Sequence, residues 1–408
     1  MSSDLIARLV ARAQADLREN LLPYWTRTAP DQQLGGFFGR VGLGETVDRE
    51  APRGALLTSR ILWTYSAAHE RWPDAGYLGM ADRAYRDLLD RFWDEANGGL
   101  HWTVTADGRP LDNSRNVYGQ AFGIYALSEY HRATSHPEAL EQAITLYGLI
   151  DTHARDTVNR GYFELFTADW QREDSTSAAV MDVGHGAKSQ NTHLHLMEAF
   201  TNLLKVWPDE GLRKAQHDLV DLMMDRVLDQ TTGHLNLFFD EDWKVLSTGI
   251  SYGHDIEAAW LILQAAELLG DRAQIARARH AAVQIAEATL ADGVGDDGSI
   301  LYAGEPNGPT DRTRDWWPQA EAVVGFLNAW QVCGGGRFLA AAGRVWDFIE
   351  KELVDHENGG WFRSIAPEGG AIPTDKINLW ICPYHNGRAD MEIIDRLGPL
   401  VSAIPGSP

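Results

Sequence analysis

Apolar positions along this chain follow two alternating rhythms. One set of stretches places them at i, i+3 and i+4, the stripe of a helix with a single buried face: YRDLLDRFWDEA from Tyr85, LVDLMMDRVLDQ from Leu219 and VWDFIEKELVDH from Val345. The other set is more apolar: ALLTSRILWTYSAA from Ala55, YGQAFGIYALSEY from Tyr118, THLHLMEAFTNLLKVW from Thr192, HDIEAAWLILQAAELL from His254, QAEAVVGFLNAW from Gln319 and HNGRADMEIIDRL from His385. A helix of the first kind suits an outer layer, and one of the second kind suits an enclosed position.

The two kinds are separated by a recurring glycine followed by aromatic or apolar residues. It occurs six times, at Gly36, Gly99, Gly161, Gly233, Gly298 and Gly360, at intervals of 62 to 72 residues. Asn-Gly, Asp-Gly and Thr-Gly are C-cap and turn chemistry, where glycine accepts positive φ at little cost. After each glycine the pattern predicts a short extended hairpin, a polar loop and then the more apolar helix. Six helical hairpins of near-constant length predict an all-α fold, an (α/α)6 barrel with an inner and an outer ring. An open solenoid or two three-hairpin domains are the alternatives, and the absence of distinct capping repeats favours closure. No linker or low-complexity tract interrupts residues 1–408, which read as a single domain with a short N-terminal helical lead-in and a C-terminal tail.

Composition narrows the function. The chain carries 36 Lys+Arg against 58 Asp+Glu, a formal charge of -22. Such a balance argues against nucleic acid and against an anionic membrane surface, both of which reward dense Lys/Arg patches. Two cysteines, Cys333 and Cys382, make no disulfide framework and no zinc spacing. The N-terminus lacks an apolar h-region and no apolar run approaches the ~20 residues of a membrane span, so a cytoplasmic location is expected. The 15 Trp, 12 Tyr and 13 Phe are the informative excess, because ring-stacking surfaces suit carbohydrate.

The candidate chemistry sits at the beginnings of the more apolar helices. Arg60, Tyr118, Asn191, His195, His254, Glu257, Trp317, Glu321, Trp380 and His385 all lie in or just before their first turns. Parallel inner helices would converge these side chains on one mouth. His254 and Glu257 share a helix face, as do Asn191 with His195 and Trp317 with Glu321. His193 and His195 part on a helix and would align only on a strand. No ligand set with metal spacing emerges, so no metal is expected. Cys382 reads as a small buried hydrophobe. Glycoside hydrolysis asks for two carboxylates about the scissile bond, with Glu257, Glu321 and Glu198 available. Proton abstraction next to a carbonyl asks for bases of near-neutral pKa, which His195, His254 and His385 supply, with Arg60 to stabilise an enediolate. The spacing favours proton transfer on an aldose over hydrolysis without deciding it.

Five stretches carry a resemblance. PRGALLTSRILWTYSAA from Pro52, NTHLHLMEAF from Asn191, GHDIEAAWL from Gly253, WWPQAEAVVGFLNA from Trp316 and PYHNGRADMEII from Pro383 resemble the N-acylglucosamine 2-epimerase superfamily, most of all its cellobiose 2-epimerase branch. The resemblance runs from about Gly35 to Leu397. It implies an (α/α)6 barrel and cofactor-free inversion at C2 of the reducing-end sugar of β-1,4 disaccharides, through ring opening and a cis-enediolate. By motif, His385 and His254 would be the opposed acid/bases and His195 would assist ring opening. Asn191 would contact the sugar, Arg60 the enediolate oxygens, and Glu257 and Glu321 would orient the histidines and hydroxyls. Tyr118, Trp317 and Trp380 would pack the sugar rings. The loop AAVMDVGHGAKSQNTH departs from the branch's pattern; Asp182 is its candidate contact to the second sugar. A monosaccharide 2-epimerase or a mannose isomerase is the alternative within the superfamily, and a glycoside hydrolase on the same barrel is the alternative class. A carbohydrate substrate and a monomer or homodimer are expected.

Overall fold

The computed structural model describes residues 2–173 and 186–402. Among the described residues, thirteen helices alternate between two layers. The outer layer holds α1 (Ser2–Ala15) with α2 (Leu22–Thr28), α4 (Leu78–Asp87), α6 (Pro137–His153), α8 (Glu210–Leu222), α10 (Arg272–Ala288) and α12 (Gly336–Phe348). The inner layer holds α3 (Ala55–Arg71), α5 (Val117–Thr134), α7 (Gln190–Val206), α9 (Tyr252–Leu269), α11 (Trp316–Cys333) and α13 (Tyr384–Ser402). Burial follows the two sequence rhythms. Every residue of α3 from Ala55 to Ala68 is buried, whereas α4 buries only Met80, Ala81, Ala84, Tyr85 and Asp87. Each inner helix packs on the next, and α13 returns to α3 and α1 to close the ring.

The N-terminal segment is therefore more than a lead-in. It takes the outer place beside α13, burying Leu9, Ala13, Leu17, Leu21 and Trp25. Five outer helices end in a π-helical turn: Asp16–Leu21, Leu88–Phe92, Met223–Val227, Thr289–Gly293 and Ile349–Leu353. Hydrophobic periodicity does not distinguish these wider turns from α-helix.

The six repeat glycines all sit at positive φ, between 61° and 85°. At Gly161 there is a second reason: a Cβ would lie 2.7 Å from His193 Nε2. The extended segments differ from a simple hairpin after every glycine. Hairpins occur at residues 40–48, 103–112 and 303–311, but the main pairing is between successive repeats. Arg53 pairs with Val104, Arg115 with Phe166, Lys188 with Phe239 and Arg314 with Ile365; the bridges Ile250–Gly304 and Val41–Ile377 complete the circle. The strand ahead of each inner helix is thus tied to its neighbour, which gathers the inner-helix N-termini at one end of the barrel.

A buried cation reinforces this belt. Arg53, Arg115 and Lys188 stand two residues ahead of α3, α5 and α7. They bind Asp31, Asp94 and Asp156, whose carboxylates also accept backbone N–H groups of the glycine turns. Lys376 does the same for Asp355 at 2.6 Å, and Arg314 pairs with Asp297 at 2.5 Å. The fourth repeat has Ile250 at this place, and His234 bridges Asp255 and Asp292 there instead.

Candidate active site

The sequence-selected residues meet at the N-terminal mouth of the inner ring. Asn116 and Ser189 fix the starts of α5 and α7 by accepting from Tyr118 N and Thr192 N. Ser251 stands at the same place ahead of α9 but does not cap its helix with its side chain; its hydroxyl is 2.7 Å from His254 Nδ1. Beneath the mouth Arg60, Tyr118, His195, Glu257, Glu321 and His385 are buried, while Asn191, His254, Trp317 and Trp380 are partly exposed above them. Asp182 lies outside the described residues. His193 turns away from the site, as the helical alternation predicts, and is bound to Ser189 O at 2.7 Å and Tyr162 N at 2.9 Å.

Three histidines surround the centre, each with a partner on Nδ1. His195 meets Glu198 Oε2 at 2.8 Å, His385 meets Glu321 Oε1 at 2.7 Å, and His254 meets Ser251. The Trp317 indole lies between two of them, with ring centroids 4.7 Å from His254 and 5.6 Å from His385. Burial keeps all three neutral. It pushes His254 down to about 3, helped by His195. Burial lowers His195 against the pull of Glu198, and burial with Arg60 and Arg388 holds His385 well below its ordinary value.

Two buried arginines do different work. Arg388, three residues after His385 and on its face of α13, donates Nη1 to Glu198 and Nη2 to Glu257 and Glu321 at 2.6 and 2.7 Å. Its charge is matched by carboxylates. Arg60 has no carboxylate partner among the described residues. Its Nη2 donates to Tyr118 Oη at 2.6 Å, its Nη1 points to Trp380 O at 3.5 Å and to Cys382 Sγ at 3.8 Å, and its guanidinium lies 4.3 Å from the Phe122 ring centroid. Burial opposes its charge, but Tyr118, Cys382 and Tyr384 hold it firmly protonated. Arg60 is therefore the uncommitted cation of the site.

The three carboxylates are unequal. Burial alone would raise Glu198; Arg388, then His195 and Tyr384, overrule it and hold it at about 2. Glu321 accepts from His385, Arg388 and Trp260 Nε1, so both its oxygens have donors. Glu257 Oε2 is buried without a partner among the described residues. Burial and the neighbouring Glu321 raise Glu257 well above the ordinary carboxylate value, and burial raises Glu321 as well. Ligand atoms of Glu257, Glu321 and His385 lie within 4.8 Å of one another, a spacing that can hold a metal ion. The Arg388 guanidinium already binds both carboxylates there, and a divalent ion would have to compete with it.

Sequence reasoning missed Arg388, Tyr384 and Ser251 and named Glu198 only as a carboxylate available for hydrolysis. The signal was present: Glu198 is three residues beyond His195 and Arg388 three beyond His385, the spacing of one helix face.

Residues 36–385 match the model of the N-acylglucosamine 2-epimerase (GlcNAc 2-epimerase) family. The chain belongs to this family. The cellobiose 2-epimerase of Bacteroides fragilis is 41% identical over 93% of this chain and 97% of its own length. That of Dictyoglomus turgidum is 37% identical over 93% and 97%. The solved cellobiose 2-epimerase of Bacillus thermoamylovorans B4167 superposes with a TM-score of 0.90 at 37% identity, covering 96% of this chain and all of that one. The chain is accordingly an isomerase, a sugar 2-epimerase on the (α/α)6 barrel. No helix among the described residues is long and apolar enough to cross a membrane.

Proposed function

We propose that this epimerase inverts C2 of the reducing-end glucose or mannose of β-1,4 disaccharides such as cellobiose, without a cofactor, using His254 and His385 as opposed acid/bases. The observation that carries the chemistry is the uncommitted Arg60 cation beside neutral histidines set around one aromatic face. The disaccharide rests on the cellobiose 2-epimerase relatives, and the partly exposed Trp380, 6.0 Å from Trp102 and 6.2 Å from Tyr118 by ring centroids, is a platform for a sugar ring.

Opening the pyranose requires a proton to leave the anomeric hydroxyl and one to reach the ring oxygen. His195 takes the first and, as an imidazolium, hands that proton on to the ring oxygen, with the unpartnered Glu257 Oε2 beside it to hydrogen-bond the sugar. In the open chain, one of His254 and His385 removes the C2 proton. The electron pair moves into a C1–C2 double bond and negative charge grows on the C1 oxygen. Arg60 stabilises that oxygen in a site shielded from water, where a fixed positive charge is worth most. The other histidine, once it has taken a proton from solvent, delivers it to the opposite face of C2, and the ring closes with C2 inverted. The proton removed from C2 stays on the first histidine until it is lost to solvent, so the two histidines exchange the roles of base and acid between the two epimers.

His254→Ala and His385→Ala test the scheme. Each is expected to abolish turnover of cellobiose while circular dichroism and melting stay native; a near-wild-type rate in either would overturn the two-base reading.

A further inference from the structure

The proposed reaction needs His195 to present a lone pair to the sugar, and the structure contains an arrangement that would enforce this. We propose that Glu198 is a positioning residue that, locked by Arg388 and Tyr384, fixes His195 as the Nδ1–H tautomer with Nε2 free for the substrate. This inference rests on the reading of His195 as the group that takes the anomeric proton.

Glu198 is buried at 3% exposure, and its two oxygens face different neighbours. Oε1 receives the Tyr384 hydroxyl and Arg388 Nη1, while Oε2 faces His195 Nδ1 at 2.8 Å. An ionised carboxylate only accepts, so the imidazole must donate from Nδ1. The opposite nitrogen then carries the lone pair. His195 Nε2 lies 3.9 Å from Glu257 Oε2, the carboxyl oxygen that lacks a partner. That separation is too long for a direct hydrogen bond and short enough for one sugar oxygen to reach both atoms. The ring itself is held between aromatic neighbours, with centroids 5.2 Å from Tyr118 and 5.0 Å from Phe122, so the tautomer rather than the ring position is what Glu198 sets.

Arg388 makes the arrangement testable through an isosteric change. In Glu198→Gln the amide must choose which end faces which neighbour. A guanidinium has only donors, so the amide oxygen turns to Arg388 and the NH2 group turns to His195. Nδ1 then has to accept, and the proton moves to Nε2, the nitrogen meant for the sugar. A variant that keeps shape and packing is thereby expected to invert the tautomer.

Nitrogen-15 NMR of histidine-labelled full-length protein, with His195 assigned from a His195→Gln sample, reads this in the absence of sugar. Wild type is expected to show His195 protonated on Nδ1 and E198Q on Nε2. With cellobiose, E198Q is expected to lose on the order of 10²–10⁴-fold in kcat, the range of a general base set in the wrong tautomer, with a much smaller change in KM. Wild-type His195 protonated on Nε2 would overturn the proposal without recourse to any variant. So would an E198Q protein that keeps the Nδ1–H form or turns over at the wild-type rate. Wild-type protein with the Nδ1–H tautomer but no action on cellobiose or mannose would uphold the positioning role and count against the proposed reaction instead.

Discussion

At the scale of single residues, the site divides its charges by what they touch. Arg388 is consumed by three carboxylates and holds the histidine partners in place, whereas among the described residues Arg60 meets a phenol, a carbonyl, a thiol and ring faces and no carboxylate. A cation with no counter-ion is costly in a buried position and is retained where negative charge is to form. Arg60→Met is expected to lower kcat by ~10²–10³-fold, the scale of losing one oxyanion-stabilising donor, with the fold kept. Steady-state kinetics on cellobiose checks it; a loss confined to KM would place Arg60 in ground-state binding alone. The histidines make a second prediction. His254 titrates at about 3, and His195 and His385 are also depressed, so all three stay neutral as pH falls through the ordinary histidine range. The acid limb of kcat/KM is expected below pH ~6.5, because protonation of the free enzyme's bases is postponed. An acid limb at or above that value would contradict it. The same residues show what the sequence conveys. A spacing of three or four places Glu198 under His195 and Arg388 under His385, but that Arg388 binds Glu198 from across the barrel depends on closure, which no local spacing encodes.

At the scale of elements, the belt of strand pairs and buried cations explains why six inner-helix starts lie in one ring. Each clamp joins a glycine turn to the strand ahead of an inner helix, so it sets where that helix begins and where its site residues point. Arg115 is fully buried and bound to Asp94, Leu100 O and Asn113 O. Removing one partner of a buried pair leaves the other charge unmatched. Arg115→Met is expected to cost ~3–5 kcal/mol in urea unfolding, against no more than ~1 kcal/mol for the exposed Arg109→Met. Equal small effects would mean that the belt is not what fixes the helix starts. The alternation of inner and outer helices and the glycine turns were legible because helix periodicity and positive φ are local properties. The clamp was legible in principle: Asp31, Asp94, Asp156 and Asp355 each stand five residues before a repeat glycine. The π-helical ends were not, since a single wide turn of five or six residues is too short for its period to be told from that of an α-helix.

At the scale of the whole molecule, closure depends on the two ends of the chain meeting. The helices at residues 2–28 cover α13, which carries His385 and Arg388, and they are tied to α12 and the turn after it by Trp361 Nε1 donating to Asp16 at 2.9 Å and by Arg12 with Asp347 and Glu350. Deleting residues 1–28 would expose the apolar side of α13 and open the ring. The truncated protein is expected to lose its cooperative melt, and a native-like transition would show that the outer helix is dispensable. The sequence already pointed to a six-hairpin ring through its near-constant repeat, but it assigned the N-terminal helix no partner, because a ring's last contact joins residues hundreds apart in the chain.

The proposed reaction moves a proton at C2 of a reducing-end sugar without a cofactor. Proton NMR of cellobiose in D2O, with protein dialysed against a chelator, reads that step. A mannose reducing end is expected to grow in, with deuterium at C2 of both epimers. Unchanged cellobiose with no deuterium at C2, or release of free glucose, would contradict it.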